Sequence, residues 1–198
     1  TSEAIIEDPY ILITDIKINR DYQIIPFLEN LAKRNIKNLV IIGETLEQAL
    51  AVLVINKLRG AFNIASVQAP AYGDRRTQEL EDIAILTGGS VIALDSGREL
   101  KSVLPEELGR ANKFIADFDK SKIIGGMGDK AKIKGRIKEL EKAIKNANTP
   151  FDAEIKKQRL SKLAGTAAVI YVGAISDPEL SDKKERVDDA VNATKAAV

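Results

Sequence analysis

The sequence predicts an α/β fold: a layered sheet flanked by helices, with a helical hairpin and a C-terminal strand–helix segment. Two observations carry this. From Tyr10 to Leu94, short runs of branched and aromatic residues alternate with amphipathic stretches, the order that right-handed crossovers make on a sheet. Near Gly125 the composition then shifts to charged sequence of helical period.

Taken in order, residues 10–14 (YILIT) read as a short buried strand. Asp21 to Arg34 is helical in pattern, with Ile24, Ile25, Leu28 and Leu31 on one broad face and Pro26 placed in the first turn. Asn38 to Ile42 is the next strand, and Phe62 to Val67 another. GDRR at 73–76 opens a helix that Gly88-Gly89 closes, and Ser90 to Leu94 follows as a strand. Pro105–Leu108 suggests one helical turn, and 113–118 and 122–124 short strands meeting at a turn. Asp129 to Asn146 is a long helix with Ile133, Ile137, Leu140 and Ile144 along one side. Thr149 caps a second helix, with Pro150 at its first position, running to about Leu163; the two form a hairpin. Ala167 to Val172 reads as a strand, and Leu180 onward as a helix.

The stretch TLEQALAVLVINKLRG (45–60) stands apart. Thr45 and Gln48 have capping-box spacing, and Gly60 follows Arg59 as a left-handed stop. A surface helix needs one apolar stripe of about 100°, yet this one is apolar almost all round. Two readings are open. Either the helix is buried in a large core, or it has two faces: Leu46, Ala49, Leu53 and Val52 inward, and Leu50, Val54 and Ile55 left open for another protein.

The totals narrow the chemistry. The chain has 198 residues, 44% hydrophobic and 30% charged, with a formal net charge of +1, so charge alone draws it neither to nucleic acid nor to anionic lipid. It has no cysteine and no histidine. Disulfides, thiolate sites, the Ser-His-Asp triad and most zinc sites are thereby excluded. No apolar run approaches the roughly 20 residues of a membrane span, and Thr1–Glu7 does not read as a signal peptide. The expected setting is soluble and cytoplasmic.

Three stretches invite a chemical reading. GGMGD at 125–129 precedes a helix but has neither Walker A nor GxGxxG spacing, so a glycine turn is expected. Lysines 130, 132, 134, 138, 142 and 145 are interrupted by Glu139 and Glu141 and interleaved with no aromatic, which predicts a solvated face. Asp188 and Asp189 are adjacent on a helix and point about 100° apart, so they are not a ready-made catalytic pair.

Together, VQAPAYGDRR (67–76), DIAILTGG (82–89), ALAVLVINKLRG (49–60), KLAG (162–165) and ERVDDAVNATKAAV (185–198) resemble a group I chaperonin of the GroEL type. The resemblance runs nearly end to end but covers part of such a subunit. It implies an apical, polypeptide-binding domain at 1–167, truncated at its N-terminal side, and the descending part of the intermediate domain at 168–198. A groove between two helices would take apolar segments of non-native proteins, and later the mobile loop of the co-chaperonin. By position its residues are Ile25 and Leu28 on the first helix and Leu50, Val54, Ile55 and Asn56 on the second. Asp189 matches the carboxylate that positions the attacking water on ATP in the complete subunit. ATP and magnesium belong to the full-length family, whose subunits form stacked rings. This chain is expected to need no cofactor, to bind no metal, nucleic acid or membrane, and neither to take up nor to hydrolyse ATP.

Three departures stand out. The pattern APGFGDRR reads APAYGDRR, with Ala71 for a glycine and Tyr72 for a phenylalanine, which the fold should tolerate. The Gly-Gly hinge reads Gly165-Thr166. An upstream segment with further aromatic groove residues is expected to be missing. The rival readings are a small-molecule α/β enzyme with its site at the strand carboxyl ends, and a nucleic-acid module on the 130–145 helix, which would bind with steep salt dependence.

Overall fold

The computed structural model describes residues 3–93, 95, 97–117, 120–165 and 176–197. The chain divides into two compact units, Thr1–Gly165 and Thr166–Val198. The fold is α/β, a mixed sheet flanked by helices.

In the first unit the strands are β1 (Ala4–Glu7), β2 (Tyr10–Ile18), β3 (Asn38–Thr45), β4 (Asn63–Val67), β5 (Val91–Ile92), β6 (Gly109–Ala116) and β7 (Ser121–Gly126). The helices are α1 (Asp21–Lys33), α2 (Glu47–Leu58), α3 (Asp74–Thr87), α4 (Lys130–Lys145) and α5 (Pro150–Ala164). The sheet order is β1-β6-β2-β3-β4, with β5 also on β2 and β7 also on β6. Strands β5, β2, β3 and β4 are parallel, while β1, β6 and β7 pair antiparallel.

The central strands read as unbroken apolar runs because both faces of the sheet are covered. Successive side chains alternate between two cores. Leu12, Leu39 and Ile41 point to one side, where they meet Ile24, Phe27, Leu28 and Leu31 of α1 and Ala49 and Leu53 of α2. Ile11, Ile13, Val40 and Ile42 point to the other, against Leu80 and Ala84 of α3. Thus α1 and α2 share a face, and α3 lies opposite.

Several boundaries differ from expectation. β1 was not anticipated; its four residues pair with Ala116 to Lys113 and bury only Ile6, too little apolar sequence to signal a strand. β2 runs on past Thr14 through a register shift. There the Thr14 hydroxyl donates to Ile92 O at 2.7 Å and accepts from Ile16 N at 3.0 Å, so a side chain supplies what the ladder omits. Pro26 falls at the sixth residue of α1 rather than in its first turn. Phe62 is not in β4 but is buried beside it. Of the strand expected at 90–94, Val91–Ile92 is a strand and Leu94 lies outside the described residues, as do Phe118 and the strand expected at 167–172.

The hairpin is formed by α4 and α5, which pack together. Thr149 caps α5 as expected, its Oγ1 accepting from Asp152 N at 3.1 Å, whereas Asp129, expected as the first residue of α4, is its cap, with Oδ1 accepting from Ala131 N and Lys132 N. The hairpin is fastened to α3 through two buried carboxylates, Glu79, which accepts from Lys162 Nζ at 2.8 Å, and Asp82. Asp82 accepts from Arg159 Nε at 2.6 Å and Nη2 at 3.1 Å, and from Arg136 Nε at 2.8 Å. In the second unit the described element is α6, Asp177–Ala197.

Candidate functional site

α1 begins where Gln23 Oε1 accepts from the backbone amides of Asn19 and Arg20, at 3.0 and 2.9 Å. α2 begins differently from expectation. Thr45 does not cap it: that residue ends β3, and its hydroxyl oxygen accepts from Ser66 Oγ at 3.1 Å. Leu46 takes the cap position, and Ala49 N donates to Asn19 O at 3.3 Å, so the chain entering α1 helps to satisfy the first turn of α2. The C-terminal stop is as expected, with Gly60 at φ 68°. Ala61 N then donates to Asn56 O at 3.0 Å, which turns Ala61 and Phe62 back beneath the helix.

α2 has two faces. Ala49 and Leu53 are buried and Val52 is half-buried, whereas Leu50, Val54 and Ile55 are 42%, 49% and 46% exposed. Leu58 is 82% exposed. The fully buried reading of this helix is therefore excluded. On α1, Ile25 is 37% exposed, but Leu28 is only 4% exposed and belongs to the core.

Between the two helices lies an open hollow of about 420 Å³, lined from α1 by Ile25, Leu28, Glu29 and Ala32, and from α2 by Val52, Ile55 and Asn56. Ala61 and Phe62 complete it. The structure thus brings together four of the six expected groove residues: Ile25 and Ile55 at the rim, Leu28 as floor, and Asn56. Leu50 and Val54 do not line it. With about 100° of rotation per residue, Val54 is carried round from Ile55 to the outer side of α2, and Leu50 lies one turn below Val54.

A scan against protein-family models finds no match for this chain.

Two polar side chains interrupt the lining. Asn56 Nδ2 donates to Val52 O at 2.8 Å, which fixes the amide orientation, since the reverse would set oxygen against oxygen. Glu29 is exposed, and no described ammonium or guanidinium reaches ion-pair distance of it. Sequence reasoning missed Glu29, Ala32 and Val52. The signal was present: Ile25, Glu29 and Ala32 follow one another at four and three residues, and Ile55 and Asn56 stand three and four residues after Val52.

The other candidates resolve locally. Gly126 and Gly128 pass so close to Leu86 O and Ile85 O that a Cβ would collide, and the Asp129 carboxylate occupies the N-terminal amides of α4. A phosphate there would meet that negative charge, so GGMGD is a packing turn. All six lysines of α4 are exposed. At the strand carboxyl ends, Glu44 sits 3.2 Å from Lys17 and 4.0 Å from Arg76. The described carboxylate held well below its usual range is Glu107, lowered to about 2 chiefly by the hydrogen bond from Arg98 and next by Leu104 N; it is on the surface and away from those ends. Asp189 is exposed on α6, in the second unit. Among the described residues no helix is long and apolar enough to cross a membrane.

Proposed function

We propose that the first unit is a polypeptide-binding module of the chaperonin kind, which holds apolar segments of non-native proteins in the hollow between α1 and α2. The observation that carries this reading is an open aliphatic hollow with Ile25 and Ile55 exposed at its rim. Such a surface asks a ligand for apolar area rather than for a hydrogen-bond register, so it accepts many sequences. Leu50 and Val54 extend the apolar surface around α2 and supply contact to longer segments. The same site is proposed to take the mobile loop of a co-chaperonin. Asp189 is proposed to act on ATP and magnesium, and the chain in stacked rings in the cytoplasm, only in a complete subunit.

The test is fluorescence anisotropy of a labelled mobile-loop peptide and of an unrelated apolar peptide with the 198-residue chain. Ile25 and Ile55 have 37% and 46% of their surface left to cover, about 0.6–1.4 kcal/mol on the scale of full burial, so Ile25→Glu and Ile55→Glu should each weaken binding about three- to tenfold. Leu50→Glu and Val54→Glu should weaken it less. Both rim positions are partly exposed, and circular dichroism and the melting temperature of each variant establish that it is folded before its binding is read. Unaltered binding by folded Ile55→Glu, or no binding by wild type, would overturn the proposal.

A further inference from the structure

We infer that the hollow between α1 and α2 selects, among apolar segments, those that carry a lysine or arginine beside the apolar run. This rests on the groove reading above and adds to it a chemical preference. Both polar side chains of the lining present acceptors. Glu29 contributes an unpaired carboxylate at the α1 side. On the α2 side Asn56 Nδ2 donates one N–H to Val52 O, which leaves its Oδ1 and its second N–H to meet either sign of ligand. The choice therefore falls to Glu29, whose carboxylate matches an incoming cation and repels an incoming carboxylate.

The apolar lining favours the same ligand. A lysine or arginine stem lies along aliphatic surface while its head reaches a polar rim, so a basic side chain covers Ile25 or Ile55 and still meets Glu29. A glutamate or aspartate has a shorter stem and meets like charge. Of the nearby cations, Lys33 stands one turn from Glu29 but forms no ion pair with it among the described residues, and Lys33, Lys57 and Arg59 do not line the hollow. Lys57 keeps its charge while its Nζ is tied to Ile64 O at 2.9 Å. The net charge of the chain is +1, too small to steer a charged ligand of either sign. A preference for a basic one must therefore come from the site.

The experiment uses three peptides that share one apolar sequence and carry lysine, norleucine or glutamate at its edge, titrated by anisotropy at low salt. An exposed ion pair contributes at most about 1 kcal/mol, so the lysine peptide should bind wild type about three- to fivefold tighter than the glutamate peptide. Glu29→Gln should level the two and Glu29→Lys should invert them, each affinity being read as a ratio to that of the norleucine peptide on the same variant. Binding of the norleucine peptide without a charge preference in wild type would overturn this inference and leave the groove reading intact. A preference that survives unchanged in Glu29→Gln would overturn it equally. Binding of none of the peptides would remove the groove reading and this inference with it.

Discussion

At the scale of single residues, the backbone marks one position where the sequence departs from the pattern it resembles. Ala71 sits at φ 58°, in the left-handed region where a Cβ costs about 1–2 kcal/mol relative to glycine. The pattern has glycine there, so the substitution is tolerated but strained. Ala71→Gly should raise unfolding stability by about 0.5–1 kcal/mol after the larger chain entropy of glycine is counted, read as a higher urea midpoint at unchanged slope. A lower midpoint would show the strain to be absent. Glu107 gives a second residue-level expectation. Arg98 donates to it at 2.6 and 2.9 Å, and Leu104 N donates at 2.9 Å, holding its acidity at about 2. Because the folded value lies below the unfolded one, the stabilisation is complete above about pH 4.5 and is lost as pH falls through about 2. Glu107→Gln should therefore melt below wild type near neutral pH, and the gap should close across that window. A gap that is constant with pH would assign the effect to packing.

Among the elements, those with strong periodicity were legible and those held by partners were not. β3 and α4 declare themselves, one by an unbroken apolar run and the other by isoleucines and leucine on one side. Thr45 misled because capping-box spacing is local, whereas its hydroxyl is engaged by Ser66 from the neighbouring strand. Within the groove, Ile55 and Ile25 could be named from sequence, but the burial of Leu28 follows from the way α1 settles on the sheet. The bond between α3 and the hairpin was likewise invisible, since Asp82 and Arg159 stand 77 residues apart. Removing the carboxylate strands a buried guanidinium, so Asp82→Ala should lose about 3–5 kcal/mol. Amide exchange should then accelerate first in α4 and α5, while β2 and β3 keep the slowest amides. A loss below about 0.5 kcal/mol, as for an ordinary surface substitution, would show that Asp82 does not hold the hairpin and leave that role to packing and to the Glu79–Lys162 and Glu81–Arg136 pairs.

For the whole molecule, alternation of side chains along β2 and β3 explains why one sheet supports two cores with different surroundings. The α3 side is closed by helix and hairpin, and the α1–α2 side carries an open hollow. That division follows from β2 and β3 being adjacent and parallel, which sets their two following helices side by side on one face. Sequence indicated the layers and the repeating order, but not which flank would be left open, because that depends on where α1 and α2 fall relative to each other. The pairing of β2 with β3 has a consequence for how such a site diversifies. Strand spacing of about 4.8 Å sets how far apart the two helices start, and the side chains between them tune a helix separation of about 8–10 Å. If the hollow holds ligands as proposed, substitutions at the exposed positions 25, 29 and 55 would alter which are preferred while the sheet beneath keeps the mouth in place, and descendants of one such gene could drift in taste without redesigning the vessel.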